Sequence, residues 1–153
     1  MRVYSALTVP AALAVLLMYA SAAHAAAPKA CDLLTSQIAT SLLGGPVSAP
    51  TDVQGMLCSY GTKTATVSLA VVDSPGMAAA DFTRANMAGG RSSGIEQIPG
   101  LGDAGFFIPA GGDHNTMNVL YHNKVLNFGV QKKLTPELKS QMIQTMKQWL
   151  AKF

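Results

Sequence analysis

The sequence predicts an α+β domain in which helices pack on one face of an antiparallel sheet. Patterns typical of helices and strands follow one another in the order helix, strands, helix, strands, helix. Residues 64–72 alternate between apolar and mostly hydroxyl-bearing side chains, which is typical of a half-buried antiparallel strand. The chain ends in a helical stripe with steps of three or four residues: Leu138, Met142, Met146, Trp149 and Phe153. Each half runs helix, short strand and hairpin, which favours two structural half-repeats.

The first 25 residues are typical of a secretory signal peptide. Arg2 is their only charge, residues 11–20 are apolar, and Ala23-His24-Ala25 matches a cleavage site. The apolar run is shorter than the roughly 20 residues of a membrane span, so an uncleaved anchor is the less favoured alternative. Cleavage would leave residues 26–153 as a single periplasmic or secreted domain without a transmembrane anchor.

Two cysteines, Cys31 and Cys58, are the only ones in the chain. In an oxidising compartment such a pair forms a stable disulfide, here predicted to join the first helix to the first strand. The alternative, a reactive or metal-binding thiol pair, normally has closer spacing.

The first half predicts one helix over 32–43, because Leu34, Ile38 and Leu42 recur every four residues. Asp32 or Thr35 can cap its start. Strands follow at 56–60 and 64–72. A second helix is predicted to open at the Ser74-Pro75 cap and to end at Gly89-Gly90.

The second half predicts a short strand at 105–108 and a hairpin of 116–121 with 125–130. Thr135 and Pro136 are typical of a helix cap and first turn, and they begin the last helix. Its apolar stripe is expected to pack on the sheet, with Trp149 as the largest core side chain. The alternative is an amphipathic tail that binds anionic membranes through its lysines.

Several short motifs resemble those of small exported bacterial proteins of unknown function. They are Cys31-x-Leu33-Leu34-Thr35 with Leu43-Gly44, then Cys58-Ser59-Tyr60, then Gly100-Leu101-Gly102-Asp103-Ala104. Actinobacterial cell-envelope lipoproteins are the best-populated examples, and the extracellular sensor domains of some mycobacterial serine/threonine kinases are similar. The resemblance implies an α+β domain with a disulfide, no catalysis, and a sensing or binding role. This chain lacks a lipidation cysteine at its cleavage site, which favours an unanchored protein.

The glycine motif from Gly100 to Gly105 matches the dinucleotide pattern G-x-G-x-x-G. That pattern needs a strand before it and a helix after it, whereas here a proline precedes and a predicted strand follows. A tight turn at Gly100, Gly102 and Asp103 is the better interpretation. The segment 89–94 is glycine- and serine-rich, and is either a mobile loop or, less favoured, an anion cradle. No cofactor is predicted.

Catalysis and nucleic-acid binding are disfavoured. Once Arg2 is removed, ten Lys and Arg face eight Asp and Glu, and this small excess does not indicate a nucleic-acid partner. His114 and His122 are the only histidines after the signal, and no G-x-S-x-G motif occurs. Asp113-His114 is the only adjacent pair from which a Ser/His/Asp triad could assemble. The chain is therefore predicted not to be an enzyme.

Metal binding is the second-ranked function. His114, Met117 and His122 fall in or near one predicted hairpin, and imidazole with thioether ligands suits Cu(I). Packing is the more ordinary role for a methionine at strand spacing.

A binding role is the first-ranked function, by elimination. Phe106 and Phe107 should face opposite sides of the sheet, and an uncovered side would be an apolar binding face. The sequence thus predicts a non-catalytic binding module of the cell envelope whose partner is a small ligand or an envelope protein.

Overall fold

The structure, a computed structural model, describes residues 28–88 and 94–153. The predicted signal peptide and most of the Gly- and Ser-rich segment 89–94 lie outside the described residues.

The described residues form seven strands in one antiparallel sheet. They are β1 (Thr51–Val53), β2 (Leu57–Gly61), β3 (Thr66–Asp73), β4 (Glu96–Gln97), β5 (Ala104–Pro109), β6 (His114–Tyr121) and β7 (Lys124–Gln131). Their spatial order is β1-β2-β3-β7-β6-β5-β4. The α+β class and the antiparallel sheet are therefore as the sequence predicts. The two-residue strand β4 and the three-residue strand β1 were not predicted, because segments this short have no measurable period.

The sheet has one apolar face, which we call the core face. Leu69, Phe128, Met117 and Phe107 lie directly opposite one another across β3, β7, β6 and β5, and all four are buried. The predicted alternation of residues 64–72 is confirmed, since Leu69 is buried while its neighbour Ser68 points to the other face.

Two short helices from the start of the chain pack on the core face. They are α1 (Ala30–Leu33) and α2 (Ser36–Leu43). The single helix predicted over 32–43 is wrong, because Leu34 has extended backbone angles and interrupts it. Of the two alternative caps, Thr35 is confirmed, whereas Asp32 lies inside α1, whose N-cap residue is Lys29. Asp32 accepts a hydrogen bond from the Lys29 N–H, and the Thr35 hydroxyl caps α2 by accepting one from the Ile38 N–H.

A fifteen-residue helix, α4 (Pro136–Leu150), completes this layer. The predicted Thr135 cap is confirmed, since its hydroxyl accepts a hydrogen bond from the Leu138 N–H at 3.1 Å. Hydrogen bonds from its own N–H and from the Thr135 side chain hold the pKa of the Glu137 carboxyl below its ordinary value.

The apolar stripe of α4 packs on the sheet, which confirms the core assignment. Trp149 is 1% exposed, and its ring meets Phe128 edge-on at 4.8 Å between centroids. Its indole Nε1–H donates to the Leu33 carbonyl at 2.9 Å, so the ring ties α4 to α1. A ring so enclosed does not belong to a solvent-exposed tail.

The remaining helix, α3 (Ala79–Ala88), lies on the opposite face of the sheet, which we call the open face. Phe82 packs on Phe106 with ring centroids 6.0 Å apart, in a small second cluster over β5 and β6. The expectation that all helices share one face therefore fails for α3. This helix begins at Ala79 and not at the predicted Ser74 cap, because Gly76 has a φ of +77° within a turn.

The strands, but not the helices, follow the predicted half-repeat. Strands β1 to β3 and strands β5 to β7 are each antiparallel meanders, and the two meanders meet at β3 and β7. In the second half α4 takes the position on the core face, while α3 packs on the other side. Among the described residues, no helix packs on the open face over β3 and β7.

Cys31 and Cys58 form the predicted disulfide, with an S–S distance of 2.06 Å and Cα atoms 5.0 Å apart. It joins α1 to β2, which is the second strand because β1 precedes it. No helix within the described residues is long and apolar enough to cross a membrane.

Candidate functional site

The predicted glycine turn is confirmed, and its role is structural. Gly100 and Gly102 have φ values of +71° and +67°. The Asp103 carboxylate accepts a hydrogen bond at 2.9 Å from the N–H of His122, and its own N–H donates to the Leu120 carbonyl at 2.8 Å. The turn therefore clamps the loop before β5 onto the β6–β7 hairpin.

Gly102→Ala is expected to lower the free energy of unfolding by about 2–4 kcal/mol. A Cβ there would lie 2.5 Å from the Leu120 carbonyl oxygen, and the positive φ adds about 1–2 kcal/mol of backbone strain. Gly100→Ala is the matched control, since it has a similar φ and no atom within 4 Å of its added Cβ. Urea denaturation of both variants measures the difference, and equal losses would contradict the clamp.

The three residues of the metal hypothesis do not come together. His114 begins β6 and is exposed, whereas Met117 is fully buried on the core face. His122 lies in the turn beyond the far end of β6, a strand that spans roughly 25 Å. No group of three His, Cys, Asp or Glu residues placed to hold a metal occurs in the described part of the chain.

Phe106 and Phe107 face opposite sides of the sheet, as predicted, but neither side is uncovered at this point. Phe106 is fully buried beneath Phe82 of α3. Phe107 is 2% exposed within the main core, and the Lys139 ammonium lies over its ring at 5.1 Å. These rings therefore do not form an apolar binding face, because α3 occupies the place that a ligand would take.

The open face instead carries a depression that we call the polar cleft, with a volume of about 190 Å³ over β3, β7 and β6. The strand register sets two transverse rows on this face. One row is Ser68, Gly129 and Thr116, and the next is Thr66, Gln131 and His114. Asn127 lies two residues from Gly129 along β7 and completes the lining. The cleft is thus assembled from three strands that are distant in sequence.

A relay of side-chain amides holds the orientation of Asn127. Its Nδ2 donates to Asn118 Oδ1 at 2.6 Å, and Asn118 Nδ2 donates to Asn86 Oδ1 at 2.8 Å. Asn86 Nδ2 in turn donates to the Phe82 carbonyl of α3 at 2.8 Å. Because every donor points toward α3, the end of the relay farthest from α3 is the side-chain oxygen Oδ1 of Asn127, a residue that lines the cleft. No donor within the described ranges contacts that oxygen.

The opposite end of the cleft presents a donor. The Gln131 Oε1 accepts a hydrogen bond from the Thr66 hydroxyl at 3.1 Å. This contact occupies the carbonyl of the amide and leaves its NH2 group directed away from Thr66. The lining of the cleft therefore offers an acceptor from Asn127, near the middle of β7, and a donor from Gln131, at the end of that strand.

Gly129 forms the floor between these two ends. A glycine inside a strand weakens it and often marks the close approach of another group. At Gly105 in β5, packing within the protein explains the need for glycine, since a Cβ there would lie 2.6 Å from the Leu101 carbonyl oxygen. At Gly129 the nearest atom to an added Cβ is the Ser68 hydroxyl at 3.1 Å. Among the described residues no backbone atom crowds this glycine, although the Ser68 hydroxyl would have to shift by a few tenths of an ångström to admit a Cβ, so internal packing explains Gly129 less fully than Gly105.

The lining of the cleft contains no Lys, Arg, Asp or Glu side chain and no apolar wall. Its residues are Thr66, Ser68, His114, Asn115, Thr116, Asn127, Gly129, Val130 and Gln131. Val130 is 1% exposed because its side chain points to the core face. Asn115 is buried and donates to the Lys132 and Asp113 carbonyls, so its amide is used structurally. The groups that remain are hydroxyls, two amides and one imidazole.

A second groove, of about 390 Å³, runs between α2 and α4 and is larger than the polar cleft. It is lined by Gln37, Ile38, Ser41, Leu42, Gln141, Gln144, Thr145 and Gln148. Its four glutamines are exposed, and no hydrogen bond within the described residues orients their side chains. Ordering such side chains on binding costs conformational entropy, so the oriented amides of the polar cleft make the better candidate site.

Of the residues in the cleft, only His114 was a predicted site residue, and it was assigned to a metal. The sequence did indicate that Thr66 and Ser68 lie on the polar side of a strand. It gave no signal that this side faces Gly129, which is about sixty residues away in the chain.

Comparison with models of known protein families and with curated proteins finds no match to this chain. The resemblance to envelope lipoproteins and kinase sensor domains therefore stays a prediction.

Proposed function

We propose that this protein is a non-catalytic binding module of the cell envelope, periplasmic or secreted, which holds an uncharged polar ligand in the polar cleft. The observation that carries the proposal is the amide relay from Asn86 through Asn118 to Asn127. It orients a hydrogen-bonding group toward solvent before any ligand arrives, and such preorganisation lowers the cost of binding.

The absence of Lys, Arg, Asp and Glu from the lining of the cleft supports an uncharged ligand. An ionised ligand would lose hydration on entry and would find no Lys, Arg, Asp or Glu side chain among the lining residues. Export is supported by the signal-like N-terminus and by the disulfide, which persists in oxidising compartments.

Asn118→Ala is expected to weaken ligand binding by about tenfold while the fold is retained. The substitution interrupts the relay, so the Asn127 amide loses its fixed orientation although it stays in place. Gln144→Ala, on the exposed surface of α4, is the control amide variant and should bind as the unaltered protein does.

The measurement is a set of NMR titrations of the 15N-labelled protein with four probes: a neutral disaccharide, an N-acetylated and C-amidated peptide, polyphosphate and polylysine. We expect the amide signals of Thr116, Asn127 and Gly129 to shift with at least one uncharged probe. Shifts at these residues with the charged probes alone, or with none of the four, would refute the proposal.

A further inference from the structure

Resting on the proposed function, we infer that the polar cleft holds one ring of an uncharged polysaccharide. Gly129 is the floor on which the ring lies, and the hydroxyls and amides around it bind the sugar hydroxyls.

The size of the cleft sets the size of the bound unit. Pockets that enclose a whole drug-sized ligand have volumes of about 300–1,000 Å³, whereas the polar cleft has about 190 Å³. It therefore accommodates one unit of a longer molecule. Because the sheet over β3 and β7 is uncovered, the rest of such a molecule can extend across the open face.

The arrangement of polar groups matches a ring with hydroxyls around its edge. Across the strands, Gly129 lies between Ser68 and Thr116, at the strand spacing of about 4.8 Å. Along β7 it lies between Asn127 and Gln131, each two residues or roughly 7 Å away. Four polar side chains thus surround one position that has no side chain.

The chemistry of these groups favours sugar hydroxyls. A sugar hydroxyl both donates and accepts hydrogen bonds, and so do the hydroxyls of Ser68 and Thr116. The Asn127 carbonyl supplies a fixed acceptor on one side of the floor, and the Gln131 NH2 group supplies a donor on the other. A ring seated on Gly129 would thus find hydroxyls that donate and accept on two sides, an acceptor on the third and a donor on the fourth.

Other ligand classes fit the cleft less well. An anionic glycan or a phosphate ester is bound best by Lys or Arg, and neither is among the lining residues. A peptide binds a sheet through the backbone of an edge strand and through apolar pockets for its side chains. The cleft lies at β3 and β7, in the middle of the sheet, and contains no apolar wall.

The test uses residues 26–153, the protein without its predicted signal peptide, and two variants in the polar cleft. Gly129→Val places a branched side chain on the floor, and valine is well suited to a strand. Asn127→Ala removes the fixed acceptor at an exposed position. Each is expected to weaken sugar binding by about tenfold or more, while Gln144→Ala leaves binding unchanged. The near-ultraviolet circular dichroism and the fluorescence emission of buried Trp149 are measured to check that every variant is folded.

The probes are neutral oligosaccharides of one to four units of glucose, galactose, mannose or N-acetylglucosamine, a uronic-acid oligomer, and the capped peptide. Each is titrated to about 10 mM, which detects dissociation constants in the millimolar range. We expect a neutral oligosaccharide to shift Gly129, with tighter binding for two or more units than for the free monosaccharide.

Each remaining outcome overturns the inference. Binding of the capped peptide alone, lost in both cleft variants, would refute the saccharide and leave the proposed function standing. A neutral sugar that binds equally to the unaltered protein and to both variants would refute this site. If only the uronic-acid oligomer binds, or if no probe shifts Gly129, the inference and the proposed function fail together.

Discussion

Trp149→Ala is expected to lower the free energy of unfolding by about 4–6 kcal/mol, the largest loss predicted for any single substitution here. Truncating a buried tryptophan typically costs about 3–5 kcal/mol through lost contacts and the cavity left behind. The Leu33 carbonyl would also lose its indole donor, which adds about 1 kcal/mol. Small domains are stable by only about 5–15 kcal/mol, so this variant should be close to unfolded.

Trp149→Phe is the matched control for the lost ring. It keeps an aromatic side chain against Phe128 but removes the hydrogen bond to Leu33, so a smaller loss of about 1–3 kcal/mol is expected. Urea denaturation followed by circular dichroism measures both variants. A loss below about 1 kcal/mol for Trp149→Ala, typical of surface positions, would contradict the burial of the ring.

The same ring tests the membrane-tail alternative directly. Trp149 is the only tryptophan in the chain, so its fluorescence has a single source. The unaltered protein should emit blue-shifted light that acrylamide quenches poorly, with no change on addition of anionic vesicles. Red-shifted emission that turns blue with vesicles would instead indicate an exposed amphipathic helix.

Removing the disulfide by Cys31→Ala with Cys58→Ala is expected to cost about 3–4 kcal/mol. The bond closes a loop with a sequence separation of 27 residues, and the chain-entropy model gives a loss of this size when such a loop is opened. The loss should be large because the bond fixes α1, whose Leu33 carbonyl accepts the indole hydrogen bond, to β2 of the sheet.

Chemical reduction of the unaltered protein is the parallel measurement. It should lower the midpoint of urea denaturation toward that of the double variant and should have no effect on the variant itself. Thiol titration of the denatured, unreduced protein should find no free thiol. Two free thiols, or equal stability with and without reductant, would contradict a structural role for the bond.

Local patterns in the chain account for most of the correctly predicted elements. The alternation around Leu69, the Thr135 cap and the stripe ending at Trp149 each depend on residues a few positions apart. The same holds for the turn at Gly100 and Gly102, where a positive φ favours glycine. The prediction of one helix over 32–43 was wrong because the apolar stripe continues through Leu34, although the backbone is extended there and separates two helices.

The α+β class, the coarse order of helices and strands, the pairing of Cys31 with Cys58 and the core role of Trp149 could all be predicted without the structure. Each follows from periodicity, from capping chemistry, or from there being a single way to pair two cysteines. Tertiary structure alone decided that α3 covers the open face over β5 and β6 and leaves β3 and β7 free. It also decided that Ser68 lies opposite Gly129, since strand pairing between distant segments depends on how the whole sheet buries its apolar face. The candidate site consists of residues that are distant in sequence and adjacent in the sheet, so no local motif predicts it.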